Sequence, residues 1–141
     1  MNLVDEHNKK YEFFREITGE AMRVHRKFKP GLLESAYSAA LRFLLKEKGH
    51  QVDKQVMIPM YWDNTVLDEY YRIDLLVDSN IILELKATKQ VISEHRLQLM
   101  NYMRLTHKKY GMLINFGMDS LYSEWYELDT ETNKIEKVTL M

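Results

Sequence analysis

The 141-residue sequence contains no cysteine. That excludes a disulfide framework and any thiolate metal site, and it fits a reducing compartment such as the cytoplasm. No apolar run approaches the length that crosses a bilayer, so no membrane partner is expected. The N-terminus is polar and acidic instead of basic then apolar, and a signal peptide is not expected there. With five glycines and two prolines, no linker, internal repeat or low-complexity segment is visible. A dominant charge is missing too. The formal net charge of −1 argues against a protein that coats nucleic acid by bulk charge. The expectation is one soluble domain over residues 1–141, long enough for a sizeable core.

What charge there is lies unevenly. Arg23, Arg26, Lys27 and Lys29 cluster without an acid among them. Lys86, Lys89, Arg96, Arg104, Lys108 and Lys109 outnumber Glu94 in their stretch, and the tail from Asp119 is mostly acidic. Local basic patches can hold a polyanion; the same pattern also describes two solvated helix faces.

Residues from about Asn8 to Phe28 carry Phe13 or Phe14, Ile17, Ala21, Val24 and Phe28 at helical spacing. Lys29-Pro30-Gly31 ends that helix, because the residue before proline is pushed out of helical geometry. A second helix is predicted from about Leu32 to Lys48, with Leu33, Ala36, Ala40, Leu41 and Leu44 as its core stripe and Gly49 just past its end. Val52 to Tyr61 alternates Val56, Ile58 and Met60 with polar residues and reads as a strand that, given Pro59, lies at an edge or is interrupted there. Two very apolar strands follow, from Tyr71 to Val77 and from Ile81 to Ala87, joined by a turn at Asp78, Ser79 and Asn80. Then come a third helix (about Glu94 to Thr106), a strand (Met112 to Phe116) and a closing hairpin (Trp125 to Leu128 and Ile135 to Leu140). Helix, helix, three strands, helix, strand, hairpin implies a mixed sheet with helices against it, an α/β or α+β domain.

Charged residues interrupt the greasy central hairpin, among them Asp74 on its first strand and Glu84 and Lys86 on its second. Alternation puts Glu84 and Lys86 on one face and Leu83 and Leu85 on the other. Burying a carboxylate there is costly unless a cation or hydrogen bonds compensate. Two carboxylates and an ammonium suit a divalent ion beside a phosphate, since magnesium-type ions take one or two carboxylates and leave other positions to water and substrate. In that reading Asp74 and Glu84 are metal ligands, the Leu85 carbonyl is a third, and Glu34 approaches the same ion directly or through water. Lys86 orients or deprotonates the attacking water, or stabilises the phosphorane-like transition state. Gln98 and Tyr102, four apart on one helix face, hold substrate or the lysine; Tyr37 shares a face with Glu34. Each residue also has an ordinary alternative. Asp74 can face solvent, Glu84 and Lys86 can pair with other charges, Glu34 can complement the helix dipole, and Gln98 and Tyr102 can be half-buried helix residues. His25 and His95 read as a packed and an exposed histidine, not as ligands.

Taken together, the motifs resemble a known family. Gly31-Leu32-Leu33-Glu34-Ser35-Ala36-Tyr37 spells G-x-x-E-x-x-Y, and the chain resembles the GxxExxY protein family of the PD-(D/E)XK nuclease superfamily. Ala21 to Lys29 resembles the helix before the motif, Tyr71 to Lys86 the hairpin, His95 to Leu105 the next helix, and Leu113 to Phe116 the next strand. The resemblance implies a restriction-endonuclease-like α/β/α core with a mixed central sheet. It implies catalytic roles for Glu34, Asp74, Glu84 and Lys86, with Gln98 and Tyr102 matching the Q-x-x-x-Y of an exonuclease-like branch. Tyr37, Gln98 and Tyr102 are the candidate substrate-binding residues. Ile73 stands where the superfamily's name has proline, and Lys29-Pro30 replaces the usual Gly-Pro before the motif; neither removes a catalytic group. The expected function is a Mg2+- or Mn2+-dependent nuclease acting on DNA in preference to RNA. The alternatives are an RNA-directed nuclease and a non-catalytic module that binds nucleic acid or a protein partner. A homo-oligomer is compatible with each; Tyr122, Trp125 and Tyr126 are candidates to be exposed and to serve an interface, or else to close the core.

Overall fold

The computed structural model describes residues 3–139. Their elements, in chain order, are α1 (Leu3–Phe28), α2 (Glu34–Glu47), β1 (Val52–Trp62), β2 (Thr65–Val77), β3 (Ile81–Lys86), α3 (Ser93–Thr106), β4 (Tyr110–Asn115), β5 (Tyr122–Leu128) and β6 (Ile135–Val138). The expected order is therefore the observed one; Leu140, expected at the end of β6, lies outside the described residues.

The α1 stripe of Phe14, Ile17, Ala21 and Val24 is fully buried. Lys29 (φ 58°) and Gly31 (φ 120°) then turn the chain through the left-handed region on either side of Pro30. In α2 the stripe differs from expectation. Leu33 precedes the helix and is 79% exposed, Ala36 is exposed, and the buried positions are Tyr37, Leu41 and Leu45. Tyr37 decides this: its ring stacks on Phe116 at 4.7 Å between centroids and 3° between planes, and the four-residue repeat brings Leu41 and Leu45 inward behind it. The helix ends in a Schellman motif, with Gly49 (φ 94°) bonded to the Lys46 carbonyl and His50 N–H to the Leu45 carbonyl.

All six strands form one sheet in sequence order, with β1 at an edge as Pro59 requires. Every neighbouring pair is antiparallel except β3 and β4, which are parallel and joined by the α3 crossover. Leu83, Leu85, Met112, Ile114 and Trp125 pack under α1 and α2, while Ile82, Leu113 and Leu128 pack under Leu99 and Met103 of α3. This is the α/β/α layering with a mixed central sheet. Trp125 and Tyr126 are buried, not exposed, because Trp125 stacks on Phe14 (5.0 Å, 4°) and Tyr126 joins the α3 side. The aromatics of β5 close the core.

The third difference lies in β2, which begins at Thr65, six residues before the apolar run that advertises it. Only Leu75 to Val77 of β2 pair with β3; from Ile73 outward β2 pairs with β1 alone, as a two-stranded arm. Gln55 and Asp74, which would face each other, are missing from the ladder, and Gln55 is left-handed (φ 53°). Inside that break Leu75 and Val77 pack with α1 and α2; beyond it Val56, Ile58 and Ile73 pack on the α3 side. The arm thus exchanges faces at the level of Asp74.

At the other end of β3, Phe116 N–H bonds the Lys86 carbonyl, and the buried Asn115 amide bonds both N–H and C=O of Thr88. Gly117 fits against that backbone so closely that a Cβ would lie 2.3 Å from Thr88 N and O. Gly117→Ala is expected to lower unfolding stability by about 2 kcal/mol, measured by chemical denaturation, since backbone on both sides must give. A neutral effect would mean the β3–α3 connection is softer than this packing implies.

Candidate active site

Asp74 and Glu84 stand next in register beyond the last β2–β3 pair, Leu75 and Leu83, so the two carboxylates face each other on the α3 side of the sheet. Glu84 is 2% exposed, and its Oε1 has no hydrogen-bond partner. Asp74 is half-buried, and its Oδ2 accepts the Leu85 N–H at 2.8 Å. Desolvation raises the pKa of both. For Glu84, burial first and the Asp74 charge second push it up to about 8, against a downward pull from Lys86. Asp74 is raised chiefly by burial, with the Leu85 N–H and Lys86 opposing. A residue's N–H and C=O leave a strand on the same side. The Leu85 carbonyl therefore faces Asp74 as its N–H does, while the Lys86 carbonyl points the other way, to Phe116 N–H.

Lys86, one pleat beyond Glu84, donates from Nζ to Gln98 Oε1 (3.2 Å), and Gln98 Nε2 donates to the Tyr102 hydroxyl (2.9 Å). The two α3 residues thus form a relay that ends on the lysine. Burial, then the Glu84 charge, raise the Tyr102 pKa, which locates its hydroxyl in the field of the carboxylates. Glu34, the first residue of α2, is exposed; its charge is felt at Asp74, Glu84 and His95. Tyr37 is elsewhere. It is fully buried, its hydroxyl donates to the Lys29 carbonyl (2.5 Å) and accepts from Leu32 N–H (3.1 Å). That arrangement ties down the turn that presents Glu34 and leaves Tyr37 no face toward the carboxylates. So Asp74, Glu84, Lys86, Gln98 and Tyr102 converge, Glu34 stands at their margin, and Tyr37 supports the margin from below.

A model of the PD-(D/E)XK nuclease superfamily matches residues 11–128, a span that holds all of these side chains. The chain belongs to that superfamily. No curated protein and no solved structure matches it. Superfamily membership supports a nuclease-type function with a nucleic-acid partner, and PD-(D/E)XK nucleases generally use divalent metals. The residues present fit such an ion. A buried carboxylate oxygen without a partner, facing a second carboxylate, is a set of hard oxygen donors short of positive charge. Among the described residues no three His, Asp or Glu side chains gather closely enough to hold an ion by themselves. An ion would therefore rest on Asp74 and Glu84 and fill its remaining positions from the Leu85 carbonyl, water and substrate. No described helix is long and apolar enough to cross a membrane.

Sequence reasoning missed a second buried acid of this PD-(D/E)XK domain. Glu124 on β5 receives three hydrogen bonds from Arg96 of α3 (2.7 to 3.0 Å), and one each from Tyr122 (2.6 Å) and Tyr126 (2.5 Å). The available signal was an acid at an inward strand position flanked by aromatics. The basic stretch around α3 is correspondingly dispersed: Lys86 goes to Gln98, Arg96 to Glu124, Arg104 to the Asn133 carbonyl and Lys109 to Glu127. His25, read as packed, is buried and bonded to the Met118 carbonyl; His95 is half-buried.

Burial alone would push the Glu124 carboxyl up, but its hydrogen bonds from Arg96, Tyr122 and Tyr126 outweigh that and hold it at about 2. The folded value lies below that of an unfolded glutamate. The cluster's stabilisation is therefore complete above about pH 5 and is lost as pH falls toward about 2. Unfolding free energies of the native chain and Glu124→Gln, measured across that window, are expected to differ most at its upper end and converge at its lower end. A difference that stays constant with pH would remove this ion pair as the source.

Proposed function

We propose that this chain is a Mg2+- or Mn2+-dependent nuclease that hydrolyses DNA phosphodiester bonds, of the GxxExxY family and the exonuclease-like Q-x-x-x-Y branch. The observation that carries the reading is the unpartnered, buried Glu84 Oε1 facing Asp74, one pleat from Lys86. Carboxylates that repel each other in this way favour a divalent cation over any neutral neighbour. When bound, the ion supplies charge neutralisation at the phosphoryl oxygens and lowers the pKa of water. The chain's own residues do the rest. Asp74 and Glu84 hold the ion's position, and the Leu85 N–H fixes the Asp74 carboxylate. Lys86 brings a positive charge to the phosphoryl oxygens or orients the attacking water. Gln98, itself held by Tyr102, restrains the lysine's flexible stem in that direction. Glu34 stands where it can accept a hydrogen bond from water at the margin of the site.

Three variants test this. Manganese titrated calorimetrically into the native chain should bind, and Glu84→Gln should lose that binding. Lys86→Ala should keep it while cleavage of single- or double-stranded DNA falls roughly 100-fold or more. Unchanged cleavage in Lys86→Ala would sink the assignment. Oligonucleotide binding that needs no metal and survives Asp74→Asn would point to a non-catalytic module. Matched DNA and RNA strands decide between the two nucleic acids.

A further inference from the structure

A cleft of about 520 Å³ opens directly from the relay, between the β1–β2 arm and α3. Gln98 and Tyr102 belong to both the relay and the cleft, so it begins one side chain away from Lys86. On α3 its wall is one stripe at helical spacing: Glu94, Leu97 with Gln98, Asn101 with Tyr102, and Leu105. Opposite stand Tyr71 and Met60 of the arm, with the Tyr71 ring 5.7 Å from that of Tyr102.

The apolar part of this wall is open to solvent. Leu97 is 57% exposed, Leu105 48% and Tyr71 39%. The cleft's one cation, Arg104, is matched by one acid, Glu94, so it has no excess positive charge for a phosphate. It offers instead an aromatic ring, aliphatic side chains and two carboxamides, Gln98 and Asn101. A nucleobase has the complementary chemistry: two flat faces that stack on aromatic and apolar groups and an edge that bonds to amides.

We propose that this cleft is a slot for one unpaired nucleobase of the substrate strand, adjoining the phosphate to be cut. The proposal rests on the nuclease reading and adds a preference to it. A base enters the slot only when it is not stacked and paired, so single strands and frayed duplex ends are favoured over duplex interiors. Tyr71 is the stacking group, Leu97 and Leu105 form the apolar floor, and Asn101 reads the base edge. The arm's exchange of faces at Gln55 and Asp74 turns Tyr71 toward the slot, which couples the slot to the carboxylate pair.

The test is fluorescence anisotropy with a short single-stranded DNA in Ca2+, for the native chain, Tyr71→Ala and Leu97→Ala. Each measurement is repeated with a strand of the same length lacking its bases. Leu97 is largely exposed, so its replacement leaves the fold intact even if Tyr71→Ala does not. Each variant is expected to bind the normal strand about tenfold more weakly. All three proteins should bind the abasic strand alike, at the variants' level. Binding and cleavage of DNA that are native-like in both variants would overturn the slot and leave the nuclease reading standing. A native chain that neither binds nor cuts any strand would overturn both.

Discussion

Two carboxylates held face to face, with little water and no hydrogen bond to one of their oxygens, are the constraint around which this domain is arranged. Bringing them together requires the β2–β3 ladder to stop at Leu75 and Leu83, so that Asp74 and Glu84 meet where the strands part. It requires Asp74 to sit at the break where the β1–β2 arm changes faces. It also requires the end of β3 to be fixed, which the Asn115 amide and the close approach of Gly117 to Thr88 achieve. The first two leave strand positions unpaired, which costs stability locally. None is needed to fold a six-stranded sheet.

The same sheet supplies its own comparison. Glu84, Leu113 and Glu124 lie in one row across β3, β4 and β5, on the face that α3 covers. Both glutamates are almost fully buried. Glu124 is surrounded by a guanidinium and two phenols and is held at about 2; Glu84 faces another carboxylate and is pushed up to about 8. Burial is shared, so the partners make the difference. The first arrangement is satisfied and anchors α3 through Arg96, two residues before Gln98. The second leaves Glu84 Oε1 without a hydrogen-bond partner. Perturbed carboxylates of this kind cluster at functional sites.

Much of this was legible along the chain, because local rules generate it. Buried stripes at helical spacing, Pro30 and Gly31 after α1, Gly49 after α2 and Pro59 at a sheet edge express backbone sterics and periodicity. The carboxylates and lysine were legible for the opposite reason: charged residues inside an apolar hairpin contradict its pattern. Less legible were features in which two distant segments meet. Glu124 looks like part of an acidic tail until Arg96 reaches it from 28 residues away. Tyr37 reads as a partner of Glu34 on a helix face, yet its ring belongs to Phe116 and its hydroxyl to the preceding turn. The outer part of β2 carries no apolar run, since it pairs only with β1 and shows both faces to water over much of its length.

By itself, then, the sequence determined the order of elements, the mixed sheet, and the identity of the acids and the lysine, since these depend on side-chain chemistry and on neighbours a few residues apart. Tertiary structure decided which acid is paired and which is not, where the arm turns its aromatic face, and that Gln98 and Tyr102 end on Lys86. Electrostatic environment depends on distance in space and on exclusion of water. Neither quantity exists in a chain until the sheet and its helices have closed around it.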